Sequence, residues 1–142
     1  MKKLRHPIQK AERYLREARQ ILDEIAGRDD DYYIDRKYVK MAGRMAWRGV
    51  LTALDPVLEI RKGSKRSYCI AFRDYEDAVV SKVEGKIDVL RLLNVYKTLC
   101  WSLGYDGITS CDIVQIALEE AQETIGWAEK HYQGDKVDIM SA

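Results

Sequence analysis

DRKYVKMAGRMAWRGVLTALDPVLEI, residues 35–60, reads as one helix with three different faces. At about 100° per residue, Val39, Ala42, Ala46, Gly49, Val50, Ala53 and Val57 fall on one side. Trp47, Leu51, Leu54 and Leu58 form a second stripe beside them, and Lys37, Lys40, Arg44 and Arg48 take the remaining side. The small residues of the first face let another helix backbone come close, while the large second stripe suits a different neighbour. A helix with two apolar faces belongs at the centre of a bundle or in a subunit contact. Asp35 can cap it by accepting bonds from its free amides. Pro56 lacks the N–H that would bond the carbonyl of Thr52, which predicts a local bend or an early tightening.

Upstream, Pro7 suits a first helical position and Gly27 the residue just past a helix end. Between them Ile8, Ala11, Leu15, Ala18, Ile21, Leu22 and Ile25 share one face, as in an outer helix with one buried side. The connection 28–34 is acidic and then aromatic, and reads as a loop. Downstream, Arg61-Lys62-Gly63-Ser64-Lys65-Arg66 is a short basic connection, and Ser67 can cap a third helix carrying Tyr68, Phe72, Tyr75 and Val79. The apolar phase changes around Gly85, which predicts a break or kink over 83–86. A fourth helix then presents Val89, Leu92, Leu93, Tyr96, Leu99, Cys100 and Leu103, and Gly104 stops it. Tyr105-Asp106-Gly107 reads as a tight turn. Thr109 with Asp112 resembles a capping box opening a fifth helix along Val114, Ala117, Leu118, Ala121, Ile125, Ala128 and Tyr132. A frayed tail is expected from Gln133 onward. The predicted fold is all-α, an antiparallel helical bundle of four long helices and one shorter one, in a single domain over 1–142 with a folded part of about 7–133.

The 142 residues suffice for one substantial core. Lys and Arg total 24 against 23 Asp and Glu, a net charge of +1 that gives no global pull toward DNA or an anionic membrane. Cys69, Cys100 and Cys111 are odd in number and widely spaced, fitting neither a zinc pattern nor a disulfide framework. Buried free thiols point to a reducing cytoplasm. No apolar signal core follows the basic Met1-Lys2-Lys3-Leu4-Arg5, and no apolar run approaches the length of a membrane span. A cytoplasmic protein without membrane contact is expected.

Tyr32-Tyr33, Lys37-Tyr38-Val39-Lys40-Met41-Ala42-Gly43, Gly49-Val50-Leu51 with Ala53-Leu54-Asp55, and Gly104-Tyr105-Asp106-Gly107 are local strings. They resemble those of an uncharacterised bacterial family of small helical proteins, over about residues 7–130. That family in turn resembles the HEPN helical bundles, some of which are ribonucleases or partner nucleotidyltransferases in toxin–antitoxin pairs. The resemblance implies a helical bundle and an RNA- or nucleotide-binding module. Active HEPN ribonucleases place a His shortly after an Arg; here only His6 and His131 exist, and neither has an Arg at that spacing. The ribonuclease motif is absent.

The residues themselves offer no catalytic constellation. His131 lies beside the apolar face of the fifth helix, and His6 leads the first; each reads as a packing or capping residue. Asp29-Asp30-Asp31 lacks the alternating ligands and glycine of a calcium loop. No cofactor or metal is expected. Two surfaces remain. One is the basic set Lys37, Lys40, Arg44, Arg48, Arg61, Lys62, Lys65 and Arg66, with Tyr32 and Tyr33 near enough in sequence to stack on bases. Charges on a solvated face are its default reading. The other is the apolar set Leu90, Trp101, Ile116 and Trp127, which lies off the main stripes and suits a subunit contact. A non-enzymatic bundle acting by self-association, as a homodimer, or by binding another protein is the leading expectation. The alternative is the HEPN-like RNA- or nucleotide-binding module.

Overall fold

In the computed structural model the backbone is described over residues 2–60 and 71–141, and side chains over 7–60 and 71–132. Five α-helices follow in order: α1 (Lys2–Glu24), α2 (Arg36–Leu58), α3 (Phe72–Lys82), α4 (Lys86–Tyr96) and α5 (Cys111–Ser141). A π-helix, Lys97–Leu103, continues α4. Two short strands, β1 (Arg28–Asp29) and β2 (Tyr32–Tyr33), pair antiparallel between α1 and α2. Among the described residues the bundle is all-α apart from this hairpin.

α2 is the central element and touches α1, α3, α5 and the π-helix. Val39, Ala42, Ala46, Gly49, Val50 and Ala53 of the small face are buried, as are Trp47, Leu51, Leu54 and Leu58 of the large one. Two glycines set how close the neighbours come. A β-carbon at Gly49 would lie 2.8 Å from the Ala11 carbonyl oxygen of α1. One at Gly43 would lie 2.5 Å from Leu103 Cβ and 3.0 Å from the Leu99 carbonyl oxygen. The small face therefore admits α1 on one side and the π-helix on the other. Asp35 caps α2 by accepting from the Lys37 amide at 3.1 Å. The helix runs two residues past Pro56 and ends at Glu59, whose φ is +53°.

The large face of α2 holds the aromatic centre. The Trp47 ring meets Tyr75 and Tyr96 edge-on, at centroid distances of 5.2 and 4.9 Å. Tyr75 and Tyr96 stack at 5.3 Å. The Tyr75 hydroxyl donates to the Leu92 carbonyl at 2.8 Å, satisfying a wholly buried polar group. This cluster fastens α3 to α2 and α4.

Several local expectations change. α1 begins before Pro7, which therefore stands inside the helix; the cost is one bond to the Lys3 carbonyl near a terminus. Ile25 is exposed, because the helix ends at Glu24 and the turning chain puts Ala26 into the core instead. The 28–34 loop contains the hairpin. The fifth helix is opened by Ser110 rather than Thr109, the Ser110 hydroxyl accepting from the Ile113 amide at 3.5 Å. Its backbone runs on to Ser141 with no break at Gln133, since a lone glycine at 134 weakens a helix without ending it. The break at 83–86 is present: Val83 is extended and Gly85 has φ +90°. Ser67, Tyr68 and Cys69 lie outside the described residues.

The π-helix replaces the last turns of the expected fourth helix. Its amides reach five residues back, Gly104 N–H to the Leu99 carbonyl at 2.9 Å and Asp106 N–H to Trp101 at 2.8 Å. Leu99 and Leu103 remain buried, as the apolar stripe requires.

Candidate interaction face on α4 and α5

α4 and α5 run antiparallel and are joined along their seam by side chains. Trp127 Nε1 donates to Asp88 Oδ2 at 3.2 Å, Arg91 pairs with Glu123 at 2.7 Å, and Asn94 Nδ2 donates to Glu120 at 3.0 Å. Extending this register brings the Trp101 region level with Ile113 and Ile116. Between the helices lies an open cleft of about 580 Å³, lined by Leu90, Arg91, Leu93, Asn94 and Lys97 on one side and by Glu120, Glu123 and Thr124 on the other.

Apolar side chains of α4, the π-helix and α5 keep much of their surface in solvent. Ile87 is 73% exposed, Leu90 65%, Ile116 55% and Trp101 50%. Ile113 is exposed as well. Of these, Leu90 lines the cleft. Trp127 differs from them: it is half-buried, bonded to Asp88, and stacked on the His131 ring at 3.9 Å. His131 Nδ1 also lies 2.8 Å from the Trp127 carbonyl. Trp101 touches Phe72 and Tyr96 at its inner edge, so its exposed half has a fixed orientation.

The basic stripe on α2 is placed differently. Lys37 and Arg44 are exposed, whereas Lys40 and Arg48 are half-buried. The Lys37 ammonium lies over the Tyr38 ring at 5.2 Å. The Arg48 guanidinium lies over Tyr14 at 5.5 Å, with Arg13 5.9 Å from the same ring. The Lys40 stem packs against the turn at Gly107. Tyr32 is exposed, but Tyr33 is buried, and its hydroxyl accepts from Gln115 at 3.0 Å. Tyr33 therefore ties the hairpin to α5 and does not offer its ring to a ligand. Arg61, Lys62, Lys65 and Arg66 lie outside the described residues.

In the acidic run Asp29-Asp30-Asp31, Asp29 ends β1 and the other two form the turn of the β-hairpin, with Asp30 at φ +55° and its carbonyl accepting from Arg28. Among the described residues no group of three His, Cys, Asp or Glu side chains converges as metal ligands would. None of the described helices is long and apolar enough to cross a membrane.

Burial of ionisable groups makes the fold sensitive to alkali. Desolvation pushes the Cys100 thiol up to about 12, and raises the hydroxyls of Tyr75, Tyr96 and Tyr33. Cys100 also opposes the ionisation of Tyr75 and Tyr96, and Tyr96 that of Tyr75, as neighbours that would carry like charge. The unfolded chain releases these protons at its ordinary thiol and phenol values while the folded chain keeps them. Stability is therefore complete well below the ordinary thiol value of about 8.5 and is lost as the pH rises through that value toward the folded one. Denaturant titrations at stepped pH should show the midpoint constant near neutrality and declining from about pH 8 upward. Cys100→Ala should flatten the first part of that decline, and a slope unchanged by it would rule out the thiol as a source.

The sequence matches the family described as a domain of unknown function, DUF5618, over residues 6–130. The chain belongs to that family. It is similar to the solved structure of a protein of unknown function from Dyadobacter fermentans, at 31% identity and a TM-score of 0.75. The match covers 89% of this chain and 96% of that one. No curated protein matches the sequence. The DUF5618 match spans α1 to α4, the π-helix and most of α5, so the α4–α5 cleft falls wholly within the family's region.

Reading the sequence for stripes located Leu90, Trp101 and Ile116 but not the polar side of the same cleft. A signal for it was present. Residues 111–129 hold five acidic residues and no Lys or Arg, while 86–103 hold three basic residues and one acidic. Two adjacent helices of opposite charge make a distinctive surface, visible only once they are known to be neighbours.

Proposed function

We propose that this DUF5618 chain is a non-enzymatic helical-bundle protein that acts by binding protein through the α4–α5 face. The observation that carries this reading is the open cleft between α4 and α5, with the exposed Leu90 on its wall, between helices that also expose Ile87, Ile113 and Ile116. Single exposed apolar residues are ordinary, whereas a concave surface that combines an exposed leucine with polar walls has the make-up of an interface. Trp101 suits an anchor, since its inner edge is held by Phe72 and Tyr96 and little freedom remains to be lost on binding. The alternative, RNA or nucleotide binding at the basic stripe of α2, has weaker support. Lys37 and Arg48 are engaged with tyrosine rings, and Tyr33 is buried.

A photo-crosslinking amino acid placed at position 90 or 116, in the cell that makes the protein, tests the reading. Both positions should yield a crosslinked protein product. The same group at the exposed Arg16 of α1 should not. Absence of product from 90 and 116, or equal labelling from all three, would reject this face as the binding surface.

A further inference from the structure

We propose that the partner seated on the α4–α5 face is a second copy of this chain. A two-fold axis would lay α4 and its π-helical extension on α5 of the other copy, and the reverse. The inference rests on the protein-binding reading of this face and adds the identity and arrangement of the partner.

Charge is the first argument. Lys86, Arg91 and Lys97 give the α4 side a positive balance, against Asp88 alone, and Asp88 is half-buried at Trp127. Residues 111–129 of α5 hold five acidic residues and no basic one, and Glu120 and Glu123 of these line the cleft opposite Arg91 and Lys97. A foreign partner would need a negative strip and a positive strip side by side, in matching order. A second copy has both by construction. Two-fold pairing sets the basic strip of each copy on the acidic strip of the other, and every favourable charge contact occurs twice. Parallel stacking of like strips would repel, so the same charges also select the arrangement.

The second argument concerns what burial would cost. Closing a face over charged groups is expensive when they lose water without gaining partners. Here Arg91 is already paired with Glu123, and Asn94 with Glu120, within one chain. Lys97 lies 5.5 Å from the Phe72 ring. The seam carries its own compensation into the interface, and Leu90 on the cleft wall, with the exposed Ile87, Ile113 and Ile116 of the same two helices, supplies apolar area. The cleft gives Leu90 or Trp101 of the opposing copy a concave seat.

A charge-exchange experiment tests this on the whole chain. Wild-type protein should sediment as a 16.4 kDa species at low concentration and shift to twice that mass as concentration rises. Lys97→Glu removes the positive balance of the α4 side, and Glu120→Lys weakens the acidic α5 side. Each variant alone should weaken self-association roughly tenfold or more. An equimolar mixture should recover the dimer, because the reversed charge at position 97 of one variant then meets the reversed charge at position 120 of the other. Both substitutions are on the surface, and recovery on mixing would itself show that each variant is folded.

A wild-type chain that stays monomeric at every concentration would overturn the proposal. So would a mixture that associates no better than the separate variants. If the wild type is monomeric while positions 90 and 116 crosslink to a different protein in cells, the protein-binding reading stands and the second-copy inference alone falls.

Discussion

Trp47→Ala is expected to destabilise the fold by about 3–5 kcal/mol, as deletion of a buried large aromatic does. Trp47 is only 4% exposed and meets both Tyr75 and Tyr96 edge-on. Its removal would leave a hole between α2 and α3 that the stacked tyrosines cannot fill without abandoning each other or the Tyr75–Leu92 hydrogen bond. Against a total stability of about 5–15 kcal/mol for a typical domain, this is a large share. Chemical unfolding should show the midpoint moving sharply down. Hydrogen exchange should show α3 losing protection before α1 or α5, because α3 is held chiefly through this cluster. Loss below about 1 kcal/mol, or uniform loosening of all helices, would mean that Trp47 is not the fastening point.

The second expected result is a difference in sign between two glycines in helices. Gly43→Ala should destabilise by about 1–3 kcal/mol, since the new methyl would meet Leu103 Cβ, the Gly104 amide and the Leu99 carbonyl. Two of these are backbone atoms, so no side-chain rotation relieves the overlap. Gly126→Ala in α5 meets nothing within 4 Å and should stabilise by about 0.4–1 kcal/mol through lowered unfolded-state entropy. The intrinsic preference of a helix for alanine over glycine is the same at both sites. Only the closeness of the neighbour differs. If both variants gained stability, the π-helix would not be packed against α2 as closely as described.

The stripes of α2 made the bundle legible, because a 3.6-residue period with two apolar faces leaves few alternatives to a central helix. Capping by Asp35 and the interruption at Gly85 were legible for the same reason: each depends on one residue's backbone chemistry. Features that depend on distant partners were not. The burial of Tyr33 comes from Gln115 on α5 and from the Tyr33 amide bonding the Thr109 carbonyl at 2.8 Å, and no local pattern near Tyr33 signals either. The half-burial of Trp127 depends on Asp88, thirty-nine positions away. Position along a helical wheel placed Leu90, Trp101 and Ile116 outside the core, but the cleft that Leu90 lines follows from how α4 and α5 lie together. The π-helix was hidden because Leu92, Leu99 and Leu103 keep an apolar spacing compatible with either helix type.

That π-helix makes the chain's length between Tyr96 and Gly104 consequential. An α-helix turned wider by one residue per bonded loop is what a single-residue insertion leaves behind when the flanking contacts are kept. Removing one residue from 97–103 would let the i→i+4 pattern resume. The flanking contacts, Tyr96 in the aromatic cluster and Leu103 against Gly43, would keep their places. A family member shorter by one residue here would therefore lose the widened turn and keep the register around it. Counting residues in this short stretch is thus a way to sort DUF5618 sequences by whether they carry the widened turn.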